Sequence, residues 1–271
     1  MAMRAFKLAP ALGAALLCVA LAAHHAPAAA GRSCDAKAPS AQAFGQGLQL
    51  AQRTAQALDA SGARVVILAR AGQDLRKYGL RYSHLGIAYK QGEGPWRVVH
   101  KLNQCGSARA GVYSQGLGDF FLDDLWRYEA AWSVPAPAVQ QQLLNLLQAP
   151  QQQMLRLDQP AYSLVSYAWG QKYQQSNQWV IETMALAMEP ASVNGRARAQ
   201  AWLQFKGYEP TTLRLSPLTR LGGRVSSANV AFDDHPDEKR FSDRIETVTA
   251  DSVFAWLKRS GLAAAPVALK L

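Results

Sequence analysis

Two histidines, His84 and His100, have a spacing that suits acid–base chemistry. Each lies in one arm of a predicted β-hairpin, residues 83–90 and 96–103, and two glycines and Pro95 lie between the arms. A turn centred on Glu93 places position 84 opposite position 102 and His100 one diagonal step away, about 5–8 Å between Cβ atoms. Two neighbouring imidazoles predict a general base and a side chain that orients it.

The orienting role has other candidates on the same arm. Asn103 and Gln104 follow His100 closely, and either amide could orient His84 instead. A metal site is a less favoured use of the two imidazoles, because no obvious third ligand accompanies them. Asp123 and Asp124 also lack a third ligand, so we expect them to cap a helix or to be solvated. We therefore expect neither a metal nor an organic cofactor.

Residues 1–30 have the three parts of a secretory signal peptide. Arg4 and Lys7 come first, an apolar run covers residues 8–23, and three alanines at 28–30 precede Gly31. The run has about 16 residues and is shorter than the roughly 20 that cross a bilayer. We predict cleavage after Ala30, no stable transmembrane segment afterwards, and a periplasmic or secreted protein. A retained anchor is the alternative.

Residues 31–271 are predicted to form a single α+β domain, long enough to bury a sizeable core. The whole chain has a net charge of +10, and without residues 1–30 it keeps 27 basic against 19 acidic residues, or +8. The basic residues are scattered and form no run of five. Dispersed charge and export argue against a nucleic-acid partner and allow loose attraction to anionic envelope polymers.

Two cysteines, Cys34 and Cys105, remain after the predicted cleavage. In an oxidising compartment an even pair most simply forms a disulfide. Such a bond would close a loop of about 70 residues, worth roughly 4 kcal/mol in the chain-entropy model. The alternative is that Cys105 is a thiol nucleophile served by His84 or His100, although it lies in a predicted loop and does not open a helix.

Apolar periodicity and stop signals predict the elements around the hairpin. Helices are expected at residues 41–60, 138–148, 177–188, 196–206 and 251–257, and a buried strand at 64–70. The remaining expectations are a polar loop at 71–81, an aromatic covering segment at 111–132, a strand or extended segment at 162–169, a proline-broken extended segment at 213–221, a strand or loop at 229–232, an acidic loop at 233–238 and a tail at 262–271.

Two further polar residues have simple structural explanations. Ser176 stands where the predicted helix 177–188 begins, a position at which serine commonly caps the helix. His235 lies in the acidic loop 233–238, and we expect it to be solvated, with an envelope metal or substrate site as the less favoured alternative.

The order of these parts resembles a known fold. A strand, then Ser-His-Leu-Gly-Ile at 83–87, a hairpin partner and, much later, a serine opening an apolar helix are similar to the circularly permuted NlpC-like papain-fold hydrolases, whose relatives include lecithin:retinol acyltransferase. The Leu-Asn-Gln-Cys-Gly run at 102–106 and the Ser-Asn-Gln-Trp-Val run at 176–180 resemble the exported bacterial family known as domain of unknown function 2145, over most of residues 34–260.

This resemblance implies a papain-like antiparallel sheet packed against helices, with additional helices at the C-terminal end. It also implies that His84 is the base, His100 its orienter and Ser176 the nucleophile, although the wider fold has cysteine at that position. A serine hydroxyl must lose its proton during attack, whereas a thiol can be ionised beforehand. The expected function is therefore an amide or ester hydrolase or acyl transferase acting on a cell-envelope peptide or lipid. The alternative is a non-catalytic module that binds an envelope ligand.

Overall fold

The computed structural model describes residues 39–123 and 125–271. It confirms an α+β fold with antiparallel sheets packed against helices. The strands are β1 (Val65–Ala71), β2 (His84–Tyr89), β3 (Arg97–Asn103), β4 (Ala110–Gly116), β5 (Arg127–Ser133), β6 (Thr211–Arg214), β7 (Arg244–Thr247) and β8 (Val267–Lys270). The helices are α1 (Ala41–Ala60), α2 (Leu117–Leu122), α3 (Pro137–Gln148), α4 (Gln151–Met154), α5 (Ser176–Met188), α6 (Arg196–Phe205), α7 (Pro217–Ser226), α8 (Asp237–Arg240) and α9 (Ala250–Arg259). The predicted signal peptide and Cys34 lie outside the described residues.

The larger sheet has six strands in the order β4-β3-β2-β1-β5-β8, and each neighbouring pair is antiparallel. Every residue of β1 is buried. Because this strand is covered on both faces, side chains pointing either way must be apolar, which explains the unbroken apolar run at residues 65–69.

Helices cover both faces of this sheet. On one face, Ile67 and Ile87 share a core with Trp179 of α5 and with residues of α3, α6 and α9. On the other face, Val66 and Leu68 pack with α1 and α2. Successive side chains of a strand point to opposite faces, so the two cores use alternate residues of the same strands.

Helix α5 is the central helix of the fold. Every residue from Ser176 to Ala187 is buried, and the helix packs against β2, β3, α3, α6 and α9. Most of its residues are apolar, as expected for a surrounded helix, and its buried polar side chains need specific partners, such as Arg196 for Glu182. Its position fixes the place of its first residue, Ser176, relative to β2.

Strands β6 and β7 form a separate two-stranded sheet. A small apolar cluster accompanies it, made of Leu213, Leu215, Phe232 and Ile245. The partly buried side chains that pack against this cluster are Tyr78, Leu80, Val165 and Val230. The small sheet is therefore attached to the main body beside the loops that follow β1 and precede α5.

Most predicted elements are confirmed. The hairpin is present, and the predicted helices and the strand at 64–70 have ends that differ from the structure by at most two residues. Residues 229–232 form a loop. Within the residues that the structure describes, no helix is long and apolar enough to cross a bilayer.

Four predicted segments need correction. The covering segment 111–132 instead forms β4, α2 and most of β5, although Phe120 and Phe121 are core residues as predicted. The extended segment 213–221 is mostly helical, because Ser216 caps α7 and Pro217 occupies its first turn. The tail 262–271 contains β8, an edge strand of the main sheet. Residues 162–169 contain turns and no strand.

Candidate active site

His84 and His100 form one hydrogen-bonded pair. Ile87 faces Val99 across the hairpin, which is the register that a turn centred on Glu93 predicts. The Nε2 atom of His84 lies 2.8 Å from the Nδ1 atom of His100, and the two rings are inclined at 76°. His100 is fully buried and His84 is 7 % exposed.

Gln115 of β4 determines which ring nitrogens of the pair carry protons. Its Oε1 atom lies 2.7 Å from Nε2 of His100, and an amide oxygen can only accept, so Nε2 of His100 donates. In a neutral ring Nδ1 of His100 then accepts, and the donor to it is Nε2 of His84. The lone pair of His84 is left on Nδ1, the nitrogen that a base at this site would use.

Both imidazoles are held in the neutral form. Burial is the largest cause and lowers the pKa of His84 well below its ordinary value of 6.5, and the positive charge of Arg70 and the neighbouring His100 lower it further. Burial and Arg70 also lower the pKa of His100, to about 4, against the raising effect of the bond to Gln115. The pair is therefore uncharged at neutral pH and able to accept a proton.

Arg70 stands directly opposite His84 in the β1–β2 ladder. Its guanidinium donates to the carbonyl oxygen of Phe120, pairs with Asp123 and stacks over the Phe120 ring at 4.8 Å. The Phe120 ring also lies 5.2 Å from the ring of His100. Helix α2 thus closes the site from the side of the sheet that faces α1.

Gly86 allows the hairpin arms to approach closely behind the pair. A Cβ atom at this position would lie 2.5 Å from Cγ1 of Val98 and 3.3 Å from Cβ of His100. A contact as short as 2.5 Å essentially never occurs between real side chains, and 3.3 Å is unusually tight. A residue without a side chain is therefore required between His84 and Ala88 for His100 to keep its place.

Ser176 is the first residue of α5, but it is not the residue that caps the helix. The N-cap is Gln175, whose Oε1 accepts from the backbone N–H of Asn177 at 2.7 Å. The capping explanation for Ser176 is therefore wrong. Burial raises the pKa of the nearby Tyr162 phenol, and Ser176 partly opposes this effect.

A side-chain bond connects the start of α5 to the start of β2. The backbone N–H of Leu85 donates to Oδ1 of Asn177 at 2.9 Å. These two residues directly follow His84 and Ser176, so the bond holds both candidate residues at the wall of one cavity. In the described part of the chain, the hydrogen-bond partner of His84 is His100 and not Ser176.

The cavity that these residues line has a volume of about 770 Å³, within the range of small-molecule sites. One end is polar and one end is apolar. The polar end includes His84, Ser176, Asn177, Tyr162, Gln175 and Thr247. The apolar end includes Leu80, Val165, Leu213, Leu215, Val230 and Phe232.

Asn103, the alternative orienter of His84, has another role. Its amide nitrogen donates to the carbonyl oxygens of Ser107 and Arg109, each at 2.8 Å, and its Oδ1 accepts from Asn229. Asn103 therefore stabilises the turn after β3. Of the predicted orienters, His100 is the one that contacts His84.

Cys105 also lines the cavity and is disulfide-bonded, so it has no thiol for nucleophilic attack. Its predicted partner, Cys34, lies outside the described residues, and the pairing stays a prediction. Asp123 pairs with Arg70 rather than with solvent alone. Within residues 39–123 and 125–271, no three side chains of the metal-binding types are placed to hold a metal ion.

His235 is buried, so the expectation of a solvated histidine is wrong. It is 4 % exposed, its Nδ1 lies 3.0 Å from Oδ1 of Asp234, and the rings of Tyr167 and Phe232 lie 5.3 and 6.3 Å from its own. The acidic sequence around it suggested a solvated loop, but the ring of Phe232, three residues earlier, and the ring of Tyr167, from a distant loop, lie against it.

Sequence reasoning missed three residues of the site: Gln115, Arg70 and Tyr162. Arg70 could have been identified from the sequence, because it is a cation at the end of a predicted buried strand and a buried charge needs a specific partner. Gln115 gave no signal, because its strand was not recognised. Tyr162 reaches Ser176 from a loop whose path local patterns do not determine.

Comparison with known proteins gives one match. No curated protein and no solved structure matches this chain. A family model does match, over residues 57–257, which is most of the chain and includes His84, His100 and Ser176. The chain belongs to the family described as an uncharacterized protein conserved in bacteria, DUF2145.

Proposed function

We propose that this protein is an exported amide or ester hydrolase or acyl transferase of the cell envelope. Ser176 is the nucleophile, His84 the base and His100 the side chain that orients the base. The observation that carries the proposal is the shared cavity wall. It includes His84, which is hydrogen-bonded to the buried His100, and Ser176 at the start of a buried helix, and the Leu85–Asn177 bond connects their two elements.

The proposed chemistry is acyl transfer in two steps. Oγ of Ser176 attacks the carbonyl carbon of the substrate while Nδ1 of His84 takes the hydroxyl proton, and the carbonyl oxygen becomes an oxyanion. Backbone N–H groups in the first turn of α5 supply positive potential to this oxyanion. The leaving amine or alcohol then receives the proton from His84. Water or an acceptor alcohol or amine releases the acyl group by the reverse sequence.

The surroundings of His84 influence how this base would work. Burial and Arg70 disfavour the imidazolium that forms during attack, while Gln115 favours protonation of His100. A base with a low pKa remains unprotonated in acid, so activity should persist at pH values where an ordinary histidine is already charged. The driving force for proton removal from serine is correspondingly small.

The finer parts of the proposal follow from the family resemblance and the compartment. The antiparallel sheet with α5 beginning beside β2 is compatible with a permuted papain-like fold. We include in the proposal a periplasmic or secreted location after cleavage at Ala30 and a disulfide between Cys34 and Cys105. A cell-envelope peptide or lipid is the proposed substrate class.

A second candidate function is a non-catalytic module that binds an envelope ligand in the same cavity. The observation that favours it is the partner of His84, which bonds to His100 and not to Ser176. The serine in place of the cysteine of the wider fold points in the same direction. In this candidate, the polar end of the cavity recognises a ligand without reacting with it.

Labelling with a serine-reactive fluorophosphonate separates the two candidates. The exported protein is compared with Ser176→Ala and His84→Ala variants, and with Ser83→Ala as a matched control. Ser83 lines the same cavity next to His84. An activated Ser176 gives labelling that is lost in the first two variants and kept in Ser83→Ala. Absence of labelling in the parent protein, with folding verified by circular dichroism, would favour the binding module.

A further inference from the structure

Helix α7 has its apolar face turned toward solvent. Leu218, Leu221 and Val225 are 80 %, 60 % and 64 % exposed, and their spacing of three, four and seven residues places them on one side of the helix. Surface helices normally bury such a face. An exposed apolar stripe of this kind marks an interaction site.

The opposite face of α7 is the buried one, and it is polar. Arg220 is 9 % exposed, donates to the backbone carbonyl oxygens of Lys239 and Arg240, and stacks over the Phe232 ring at 5.3 Å. These bonds fix the rotation of the helix about its axis. The outward direction of the apolar stripe is therefore determined by specific contacts of Arg220.

The helix is also a wall of the cavity described above. Thr219 and Gly223 line that cavity from the inner face of α7. Oγ of Ser216 accepts a hydrogen bond from the backbone N–H of Thr219 at 3.2 Å. This cap defines the residue at which α7 begins. Helix α7 alone therefore separates the apolar end of the cavity from the exposed stripe.

The charges around the stripe indicate what covers it. From Thr211 to Phe232 the chain has no acidic residue and two exposed arginines, Arg214 and Arg224. The exposed acidic residues Asp237, Glu238 and Asp243 lie farther along the chain, around Phe241. Two copies of this face would bring like charges together, which disfavours self-association. Exposed leucines and valine flanked by arginines are the pattern of a helix that lies in the interface of an anionic bilayer.

Near the stripe is another exposed apolar side chain. Phe241 follows α8 and is 78 % exposed, and the Arg240 guanidinium stacks over its ring at 5.3 Å. The bonds from Arg220 to the end of α8 keep it beside α7. Phenylalanine, like leucine, occurs on the apolar side of elements that lie in a membrane interface.

We propose that α7, with Phe241, docks this protein on the surface of an anionic phospholipid bilayer. The helix lies parallel to the bilayer, Leu218, Leu221 and Val225 enter the boundary between headgroups and acyl chains, and Arg224 contacts lipid phosphate. This docking does not require the chemistry proposed above. Combined with that chemistry, it favours a lipid ester over a peptide as substrate, because the apolar end of the cavity then lies next to the bilayer.

The test is co-sedimentation of the exported protein with vesicles of phosphatidylcholine alone and of phosphatidylcholine with about one third phosphatidylglycerol. We expect binding to the anionic vesicles that weakens with salt. The combined Leu218→Ser, Leu221→Ser and Val225→Ser variant should bind at least about tenfold more weakly, and Arg224→Gln about fivefold more weakly. The matched control is Phe205→Ser, because Phe205 is 81 % exposed on α6 and should leave binding unchanged.

Each other outcome overturns the inference. The inference is wrong if the parent protein does not bind the anionic vesicles, or if the triple variant binds them as strongly as the parent does. A dimer of the parent that the triple variant fails to form, without vesicle binding, assigns the stripe to a second copy instead. The Ser176→Ala variant should bind vesicles as the parent does, so failure of the proposed chemistry and failure of docking give different results.

Discussion

The Nε2 atom of His84 and the Nδ1 atom of His100 lie 2.8 Å apart on adjacent strands. Because Gln115 accepts from the other nitrogen of His100, the three side chains form a chain of donors and acceptors with one direction. Gln115, which lies two strands away from His84, therefore determines that the free lone pair of His84 is on its Nδ1 atom.

Gln115→Glu should raise the pKa of His100. A carboxylate at this position stabilises the imidazolium, and an opposite charge at hydrogen-bond distance raises a histidine pKa by about 1–3 units. The pKa is read from the pH dependence of the imidazole Cε1–H signals by NMR. Ser114→Glu, one residue away on the exposed face of β4, controls for long-range charge. Equal effects of the two substitutions would contradict a direct contact between the side chain at position 115 and His100.

Stability should decrease on acidification because of His100. Its pKa falls from 6.5 in the unfolded chain to about 4 in the folded protein, so the unfolded state binds the proton more readily between these values. The free energy of unfolding then decreases as the pH falls through this window, by about 3 kcal/mol from this residue. Below pH 4 the loss is complete.

Urea unfolding of the parent protein and His100→Gln at pH 7.5 and pH 4.5 measures this contribution. The variant should show a smaller decrease in the free energy of unfolding between the two pH values, since the carboxylates that also titrate are common to both proteins. Parallel decreases in the two proteins would show that His100 is not held neutral by folding.

Gly86→Ala should destabilise the protein by about 1–3 kcal/mol, the usual cost of overpacking. The added methyl group would lie 2.5 Å from Val98 Cγ1 and would press against His100. The matched control is Gly45→Ala in α1, where an added Cβ has no neighbour within 4 Å. There the substitution should stabilise by about 0.5–1 kcal/mol. Chemical denaturation measures both, and a neutral Gly86→Ala would mean that the hairpin arms can separate freely.

Arg196→Met should cost about 3–5 kcal/mol, because it leaves the carboxylate of Glu182 buried without its cation. Glu182 is fully buried, and Nε of Arg196 lies 2.8 Å from its Oε2. Arg198→Met, an exposed arginine on the same helix, should change stability by less than about 0.5 kcal/mol. Similar urea midpoints for the two variants would disagree with a buried ion pair behind α5.

The parts of the site that the sequence predicts are those governed by local rules. A turn of known centre and the two-residue period of strands determine which residues face each other, so the proximity of His84 and His100 could be predicted. The start of α5 at Ser176 followed from helix-forming residues after a polar stretch. These features depend on the nearest neighbours in the chain.

Other parts depend on long-range packing and were missed. Strand β4 reads as a polar stretch with glycines, and only pairing with β3 makes it a strand, so Gln115 was not found. Pro217 indicated an interruption, but a proline is also compatible with the first turn of a helix, which is its place in α7. Charges around His235 gave no hint of the rings of Tyr167 and Phe232. For β4 the deciding partner is another strand, and for His235 it includes Tyr167 from a distant loop.

The edge strand β8 has a practical consequence for producing the protein. Val267 pairs with Trp132 and Leu269 with Ala130, so these late residues cover the hydrogen-bonding groups of a strand whose side chains belong to the core. A shortened version that ends before Val267 would expose β5 as a template for strand addition between molecules, a common origin of aggregation. An affinity tag fused after Leu271 begins one residue beyond the paired strand, so it needs a flexible spacer to leave that edge closed.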